Sequence, residues 1–301
     1  MTYRTLGSTG LKVSVVGIGT WQLGGEWGKK FTAGEVREIF DAARRGGITL
    51  IDTAECYGDH LSEKLIGQAI RTDRDRWILA TKFGHRYAGG FERDQLWSAD
   101  DVQRQLEDSL AALDTEHVDL YQFHSGTTKV FENDALWSTL DRQKKAGKVR
   151  HIGISISSSM AHEDQLHQAR RARDVGAECL QVVYNRLQRW PEEGIFPICG
   201  DQNLGVLARV PLASGFLSGK YREGVVFAAD DFRSRKTSQE LDSLAAEARR
   251  IQAEEVPPGT PMAAWALAWC LRNPAVTAVI PGAQNAEQVS QNATAADLLG
   301  K

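Results

Sequence analysis

Cysteine is scarce in this chain, and what there is follows no recognisable spacing. Cys56, Cys179, Cys199 and Cys270 are scattered through 301 residues and form no CxxC pair, which excludes a disulfide framework or a zinc knuckle and reads as reduced, buried thiols in a cytoplasmic protein. An excess of one charge is also missing. Lys and Arg number 36 against 39 Asp and Glu, a net charge of −3, so there is no basic footprint for nucleic acid. No apolar run approaches the roughly 20 residues of a membrane span. The opening MTYRTLGSTG has neither the basic start nor the apolar stretch of a secretory signal. The expectation is a cytoplasmic monomer or weak homo-oligomer acting on a small molecule, with neither nucleic acid nor membrane as partner.

Several motifs begin and then fail. Gly17-Ile18-Gly19 opens like a dinucleotide fingerprint, but Gln22 holds the third glycine position and no helix starts there. Gly215 to Lys220 is one residue short of a phosphate loop, with Tyr221 where Ser or Thr belongs. His162-Glu163 and His167 are one residue too far apart for a zinc-protease helix. No other spacing suggests a metal site.

What the chain does have is repetition. Eight short apolar runs close on Thr20, Asp52, Lys82, His124, Ser155, Gln181, Arg209 and Pro281. Strands read at 15–20, 48–52, 78–82, 118–124, 149–155, 179–184, 205–210 and 277–280. Helices read at 32–46 with Thr32 as cap and Glu35 three residues on, 62–70 with Ser62 as cap, 100–113, 133–146, 158–174, near 191–200, 237–254, 261–273 with Thr260 as cap, and 286–295. Residues 2–14 read as a hairpin around Gly7-Ser8-Thr9-Gly10. Alternation with nearly continuous apolar strands predicts an α/β parallel barrel, (β/α)8, as one domain over 1–301 with the hairpin as a bottom cap. Such a barrel places its active site at the carboxyl ends of its strands. Two long strand-to-helix connections, 83–98 and 211–236, lie on that face and mark it as functional.

The polar residues at those ends suggest a specific chemistry. Asp52, Tyr57, Lys82 and His124 belong to three successive strand ends, which a barrel brings together. A tyrosine is a poor proton carrier near neutrality, but an adjacent ammonium favours its phenolate. Lys82 is that ammonium, Asp52 its counter-ion, and His124 a group to orient a carbonyl oxygen. Trp21, Cys56 and Trp97 are the expected pocket walls. Trp265 and Trp269, at i and i+4 on one helix, read as packing.

These segments resemble a known family. GITLIDTAECYGDHLSEKLIG, LATKFG and YQFHSG are similar to the signature stretches of the aldo-keto reductases, and the likeness runs from VGIGTW through VPLASGFLSGKY to AVIPGAQNAEQVSQN. The resemblance implies an NAD(P)H-dependent oxidoreductase that reduces aldehydes or ketones by hydride transfer, with Tyr57 as general acid assisted by Lys82, Asp52 and His124. It places Gly19, Thr20, Trp21 and Asp52 beside the nicotinamide ribose. Ser155 and Gln181 would hold the carboxamide, and Arg209 stands where the family usually stacks an aromatic ring. The usual Ser-Asn pair after the fifth strand is Ser155-Ile156 here. Leu212, Ser214, Gly215, Leu217, Ser218 and Lys220 match the segment over the pyrophosphate. Gly282, Gln284, Gln288 and Asn292 match the region of the 2′-phosphate, and none of them is basic. Lys220, Arg233 and Arg235 are the candidates to compensate. NADP(H) is favoured, with NAD(H) as the alternative. Two other functions fit the same residues: a Schiff-base lyase using Lys82, and a cofactor-binding regulatory subunit.

Overall fold

The computed structural model describes residues 1–300. Strands β1 (Tyr3–Thr5) and β2 (Lys12–Ser14) form the hairpin, antiparallel with Tyr3 opposite Ser14. The barrel strands and helices then alternate: β3 (Ile18–Gly19), α1 (Ala33–Arg45), β4 (Leu50–Asp52), α2 (Leu61–Ile70) and β5 (Ile78–Phe83). Next come β6 (His85–Gly89), β7 (Glu92–Gln95), α3 (Ala99–Leu113), β8 (Val118–His124), α4 (Thr128–Phe131), α5 (Asp134–Lys145), β9 (Val149–Ser155) and α6 (His162–Arg170). The last part holds β10 (Ala177–Val183), α7 (Ile195–Gln202), β11 (Gly205–Arg209), α8 (Ser238–Glu254), α9 (Met262–Arg272), β12 (Ala278–Val279) and α10 (Ala286–Ala293).

Eight parallel strands run in the order β3, β4, β5, β8, β9, β10, β11, β12. The sheet closes on itself. Parallel bridges join Val16 to Val279 and Gly19 to Gly282, with Gly17 N donating to Val279 O at 2.8 Å and Gly19 N to Pro281 O at 3.0 Å. This is the expected (β/α)8 barrel. The first strand is short because its hydrogen bonds fall on the closing seam: the Cβ of any residue replacing Gly19 would lie 2.6 Å from Ile280 O.

The hairpin plugs the bottom. Leu6 and Val13 are fully buried in one cluster with Leu50, Ala80, Leu120, Cys179, Leu207 and Ala278, the inner layer at that end. The main core lies between the outside of the barrel and the helices. Each large side chain fully buried there contributes about 1.5–3 kcal/mol. α8 and α9 form a smaller satellite core with Ala213, Phe216 and Leu217 from the loop after β11, which steadies that loop over the top of the barrel.

Three helix starts carry reciprocal capping boxes, at Thr32 with Glu35, Ser98 with Asp101 and Thr237 with Glu240. Two expected caps are wrong. α2 begins at Leu61 behind His60, which is left-handed at φ 63°. Ser62 lies inside the first turn, where its buried hydroxyl meets Thr20 and Thr53 instead. Thr260 does not cap α9. Pro261, at ψ 127°, takes the half-in position itself, and the helix starts at Met262. α6 is shorter than 158–174. Its front is lost to a local hydroxyl pair, Ser157 with Ser159, and its tail to the turns that close at Gly176. The 83–98 connection is no open loop. It folds as the antiparallel β6–β7 ribbon, turning at Gly89-Gly90 with both at positive φ. All four cysteines are free and buried. Among the described residues no helix is long and apolar enough to cross a membrane.

Candidate active site

At the carboxyl ends of the strands lies a cavity of about 590 Å³ whose lining includes Thr20, Trp21, Asp52, Tyr57, His124, Gln181 and Arg209. A cavity of about 690 Å³ sits to one side, between α2, α3 and the ribbon. Its walls are mostly charged surface residues such as Lys64, Arg71, Arg104 and Asp108, and it touches none of Asp52, Tyr57, Lys82 and His124.

Lys82 organises the floor. It is fully buried, yet each of its three ammonium protons has an acceptor: Asp52 Oδ1 at 2.7 Å, Thr53 O at 2.8 Å and Tyr57 OH at 3.2 Å. The other carboxylate oxygen of Asp52 accepts from Gln122 Nε2 at 3.1 Å and Gln181 Nε2 at 2.6 Å. Burial alone would lower the ammonium of Lys82, but Asp52 and the Tyr57 phenol hold it above the usual lysine range. Burial pushes the Tyr57 phenol up to about 12, and Lys82 pulls the other way. His124 is held well below the usual imidazole range by burial first, then by the neighbouring His85 ring and by Lys82, Arg209 and Arg93, so its ring is neutral.

The turn after β4 sets Tyr57. Gly58, Asp59 and His60 are all left-handed. Gly58 lies against Gly24, where a Cβ would fall 2.4 Å from Gly24 O, so the two glycines let the Trp21 loop seat on this turn. The Trp21 ring then stacks on Tyr57 at 6.0 Å between centroids, and its Nε1 donates to Glu26. The buried hydroxyls of Thr20, Thr53 and Ser62 bind the two loops from below. Val210, a β-branched residue at φ 54°, follows β11 at the cavity edge. The fully buried Asn185 pins it by donating to its carbonyl at 3.0 Å.

The structure thus gathers Asp52, Tyr57, Lys82 and His124 from different strand ends. Gly19, Ser214 and Gly282 join the lining, as does Cys56. Ser155 lies just behind, donating to Gln181 Oε1 at 3.3 Å. Trp97 is not part of the lining; it packs on Phe123 and Phe83 and covers Gly84. Leu217 is buried in the satellite core, Gln288 accepts from Gln284 N, and Lys220 is exposed beside Tyr221. Leu212, Gly215, Ser218, Gln284 and Asn292 also lie outside the cavity lining. Arg233 is taken: it is buried and paired with Asp231 at 2.5 Å, so it has no free charge for a phosphate.

Other residues at the site had no place in the sequence reading. Gln122 shares a strand face with His124, two positions on, which a period-of-two count would have flagged. His85, Phe91 and Arg93 come from the ribbon, and Phe232 and Lys236 from the long loop. These two walls meet where Phe91 packs edge-on against Phe232 at 5.7 Å between centroids, and the β3–α1 loop ties to both: Arg93 pairs with Glu26, and Phe232 N donates to Glu26 O at 3.0 Å. Lys29 reaches the 282–292 segment from the β3–α1 loop and donates to Gln284 O at 3.1 Å, while pairing with Glu35 at 2.9 Å. The two departures from the aldo-keto pattern meet directly, because Arg209 donates to the carbonyl of Ile156 at 3.1 Å. Arg209 Nε has no partner. Absence of metal-type spacing also concealed a cluster. A carboxylate oxygen of Glu55, Cys56 Sγ and a ring nitrogen of His124 lie within 4.8 Å of one another.

Comparison with known proteins places the fold in a family. The model of the aldo/keto reductase family matches residues 15–299. The chain belongs to the aldo/keto reductase family. This aldo/keto reductase is 32% identical to the uncharacterized oxidoreductase YrpG of Bacillus subtilis, over 99% of this chain and 92% of that protein. It is 29% identical to a probable voltage-gated potassium channel subunit beta of Arabidopsis thaliana, over 99% of this chain and 92% of that one. Among solved structures, the holo form of aldo-keto reductase AKR11C1 from Bacillus halodurans superposes with a TM-score of 0.81 at 29% identity, covering 99% of this chain and 91% of that chain.

Proposed function

We propose that this aldo/keto reductase uses NADPH, or NADH less well, to reduce an aldehyde or ketone to the alcohol. The observation that carries the reading is the Lys82 ammonium, which contacts Asp52 and the Tyr57 hydroxyl at the floor of the cavity. A bound reduced nicotinamide supplies the hydride to the carbonyl carbon. Tyr57 gives its proton to the carbonyl oxygen, and Lys82 stabilises the phenolate left behind. Asp52, with Gln122 and Gln181 on its second oxygen, keeps Lys82 charged and in place. The neutral ring of His124 keeps one N–H to orient the substrate oxygen. Trp21 forms a wall of the substrate space, with Cys56 beside His124.

The donor set fits a nicotinamide cofactor. The oxygens of Gln181 and Ser155 keep a lone pair to accept from a carboxamide, and the unpartnered Nε of Arg209 supplies the donor that Ile156, in place of asparagine, cannot. Its guanidinium plane can also stack on a ring. The matching stretch at Gly282, Gln284, Gln288 and Asn292 has no cation of its own, and Lys29, whose pair with Glu35 is partly exposed where the Arg233–Asp231 pair is buried, brings one from another loop. This supports NADPH as the preferred form, with modest discrimination.

The similarity to a potassium channel beta subunit favours a second reading, a cofactor-binding regulatory subunit. A lyase through Lys82 fits less well, because all three ammonium protons are engaged and no lone pair is free for a carbonyl. Steady-state oxidation of NADPH and NADH by the purified chain, across a panel of small aldehydes and ketones, decides among them. Turnover with alcohol formed in step with cofactor oxidised supports the reductase. Cofactor binding without turnover favours the regulatory subunit, and borohydride trapping of substrate on Lys82 without cofactor favours the lyase.

A further inference from the structure

The cavity wall around His124 holds two further metal-type donors that carbonyl reduction does not use. Glu55 and Cys56 lie in the turn after β4, and His124 ends β8. Cys56 Sγ stands 3.9 Å from His124 Nδ1, and a Glu55 carboxylate oxygen is within 4.8 Å of both. Sulfur and nitrogen bound to one tetrahedral Zn²⁺, at about 2.3 Å and 2.0 Å, lie roughly 3.5 Å apart. The sulfur and nitrogen need to close by about 0.4 Å, and the carboxylate oxygen by up to about 1.3 Å, which side-chain rotation supplies.

A second observation points to a ligand. Glu55 is 3% exposed; its Oε1 accepts from His85 N at 2.9 Å, and its Oε2 is buried with no partner at all. Arg93 is paired with Glu26, and Lys82 with Asp52, which takes up the charge of two nearby cations. Burial pushes the Cys56 thiol well above its usual range and Arg93 pulls only partly the other way, so an ion must displace the thiol proton as it binds. Thiolate, imidazole and carboxylate together suit Zn²⁺ and not Mg²⁺ or Ca²⁺. Cys56 and His124 line the cavity at the strand ends, and Glu55 lines the neighbouring cavity between α2, α3 and the ribbon.

We propose that Glu55, Cys56 and His124 form a binding site for one zinc-class divalent ion, and that an ion held on His124 Nδ1 locks the ring against the Cys56 side of the cavity and hinders the carbonyl substrate. The second half rests on the reductase reading; the first half does not.

The test is titration of the purified full chain with Co²⁺ alone, followed by absorption. The expected result is a thiolate-to-cobalt charge-transfer band that saturates at one ion per chain. The band should be missing from Cys56→Ser, and Glu55→Gln should weaken binding about tenfold or more. Zinc-edge X-ray absorption of the unaltered chain with one equivalent of Zn²⁺ avoids any folding defect in the variants and should show one sulfur neighbour. No cobalt band, a band that survives Cys56→Ser, or a zinc shell without sulfur overturns the site. In turnover, saturating Zn²⁺ should raise the KM for the carbonyl and leave cofactor affinity unchanged; carbonyl turnover indifferent to bound Zn²⁺ overturns the second half. A chain that forms the cobalt band but reduces no carbonyl overturns the reductase reading and leaves the metal site standing.

Discussion

Lys82→Met, alone and combined with Asp52→Asn, probes the pair on which the floor of the cavity is built. The two charges sit 2.7 Å apart, both under 10% exposed. At an effective dielectric of about 20, their gross attraction is about 6 kcal/mol, most of it offset by the cost of burying both charges. Removing one partner leaves the other charge buried and uncompensated, at a cost of about 3–5 kcal/mol. Lys82→Met strands the Asp52 carboxylate with only Gln122 and Gln181, and it also strips an acceptor's donor from Thr53 O. Asp52→Asn strands the ammonium with Thr53 O and Tyr57 OH. The double variant buries no charge there, so its loss should fall short of the sum of the single losses by about 2 kcal/mol or more. Urea unfolding of all four proteins, read by circular dichroism and tryptophan fluorescence, gives the coupling. Additive losses would mean that the pair does not act as a unit, and the reasoning about Lys82 would fail.

The pH profile follows from the Tyr57 phenol being pushed up to about 12 by burial. Reduction at saturating substrate should stay level from about pH 6 to about pH 9, while alcohol oxidation, which needs the phenolate, should climb about tenfold per pH unit; a reduction limb falling near pH 7 would show a different acid. Lys29→Ala should weaken NADPH about tenfold to thirtyfold, equivalent to about 1–2 kcal/mol, and leave NADH nearly unchanged; paired fluorescence titrations decide it, and equal losses for both cofactors would remove Lys29 from the phosphate. Ser62→Ala should destabilise the fold by about 1–3 kcal/mol, because it leaves the buried hydroxyls of Thr20 and Thr53 short of a partner. A loss under about 0.5 kcal/mol in chemical denaturation would return Ser62 to an ordinary helix-end role.

Much of the barrel was legible because its strands are apolar runs bounded by sharp breaks. The spans at 118–124 and 149–155 match β8 and β9 residue for residue. Helix starts were readable where a capping box supplied both partners, as at Thr32 with Glu35. They were misread where one polar residue had a better use: Ser62 looked like a cap, and only the assembled barrel shows Thr20 and Thr53 waiting for its hydroxyl. The β6–β7 ribbon carried a Gly89-Gly90 turn signal, but its strands, HRYAG and ERDQ, have no apolar face, so periodicity did not mark them. That omission concealed the walls formed by Phe91 and Arg93. Asp52, Tyr57, Lys82 and His124 could be picked out because each lies at or just after the end of a strand. Long-range partners such as Lys29 on Gln284, Arg209 on Ile156 and Glu55 near His124 depend on how separate loops converge, which no local pattern records.

The central claim is that Tyr57 delivers the proton, and replacing its hydroxyl tests that most directly. Tyr57→Phe keeps the ring that stacks on Trp21 and removes only the group that Lys82 contacts. Carbonyl reduction by this variant should be measured beside its NADPH affinity, using a substrate the unaltered chain turns over. The account predicts that kcat/KM falls about 10²–10⁴-fold while cofactor binding stays within about threefold, a change of about 0.7 kcal/mol. Near-normal kcat in Tyr57→Phe, with cofactor still bound, would contradict it.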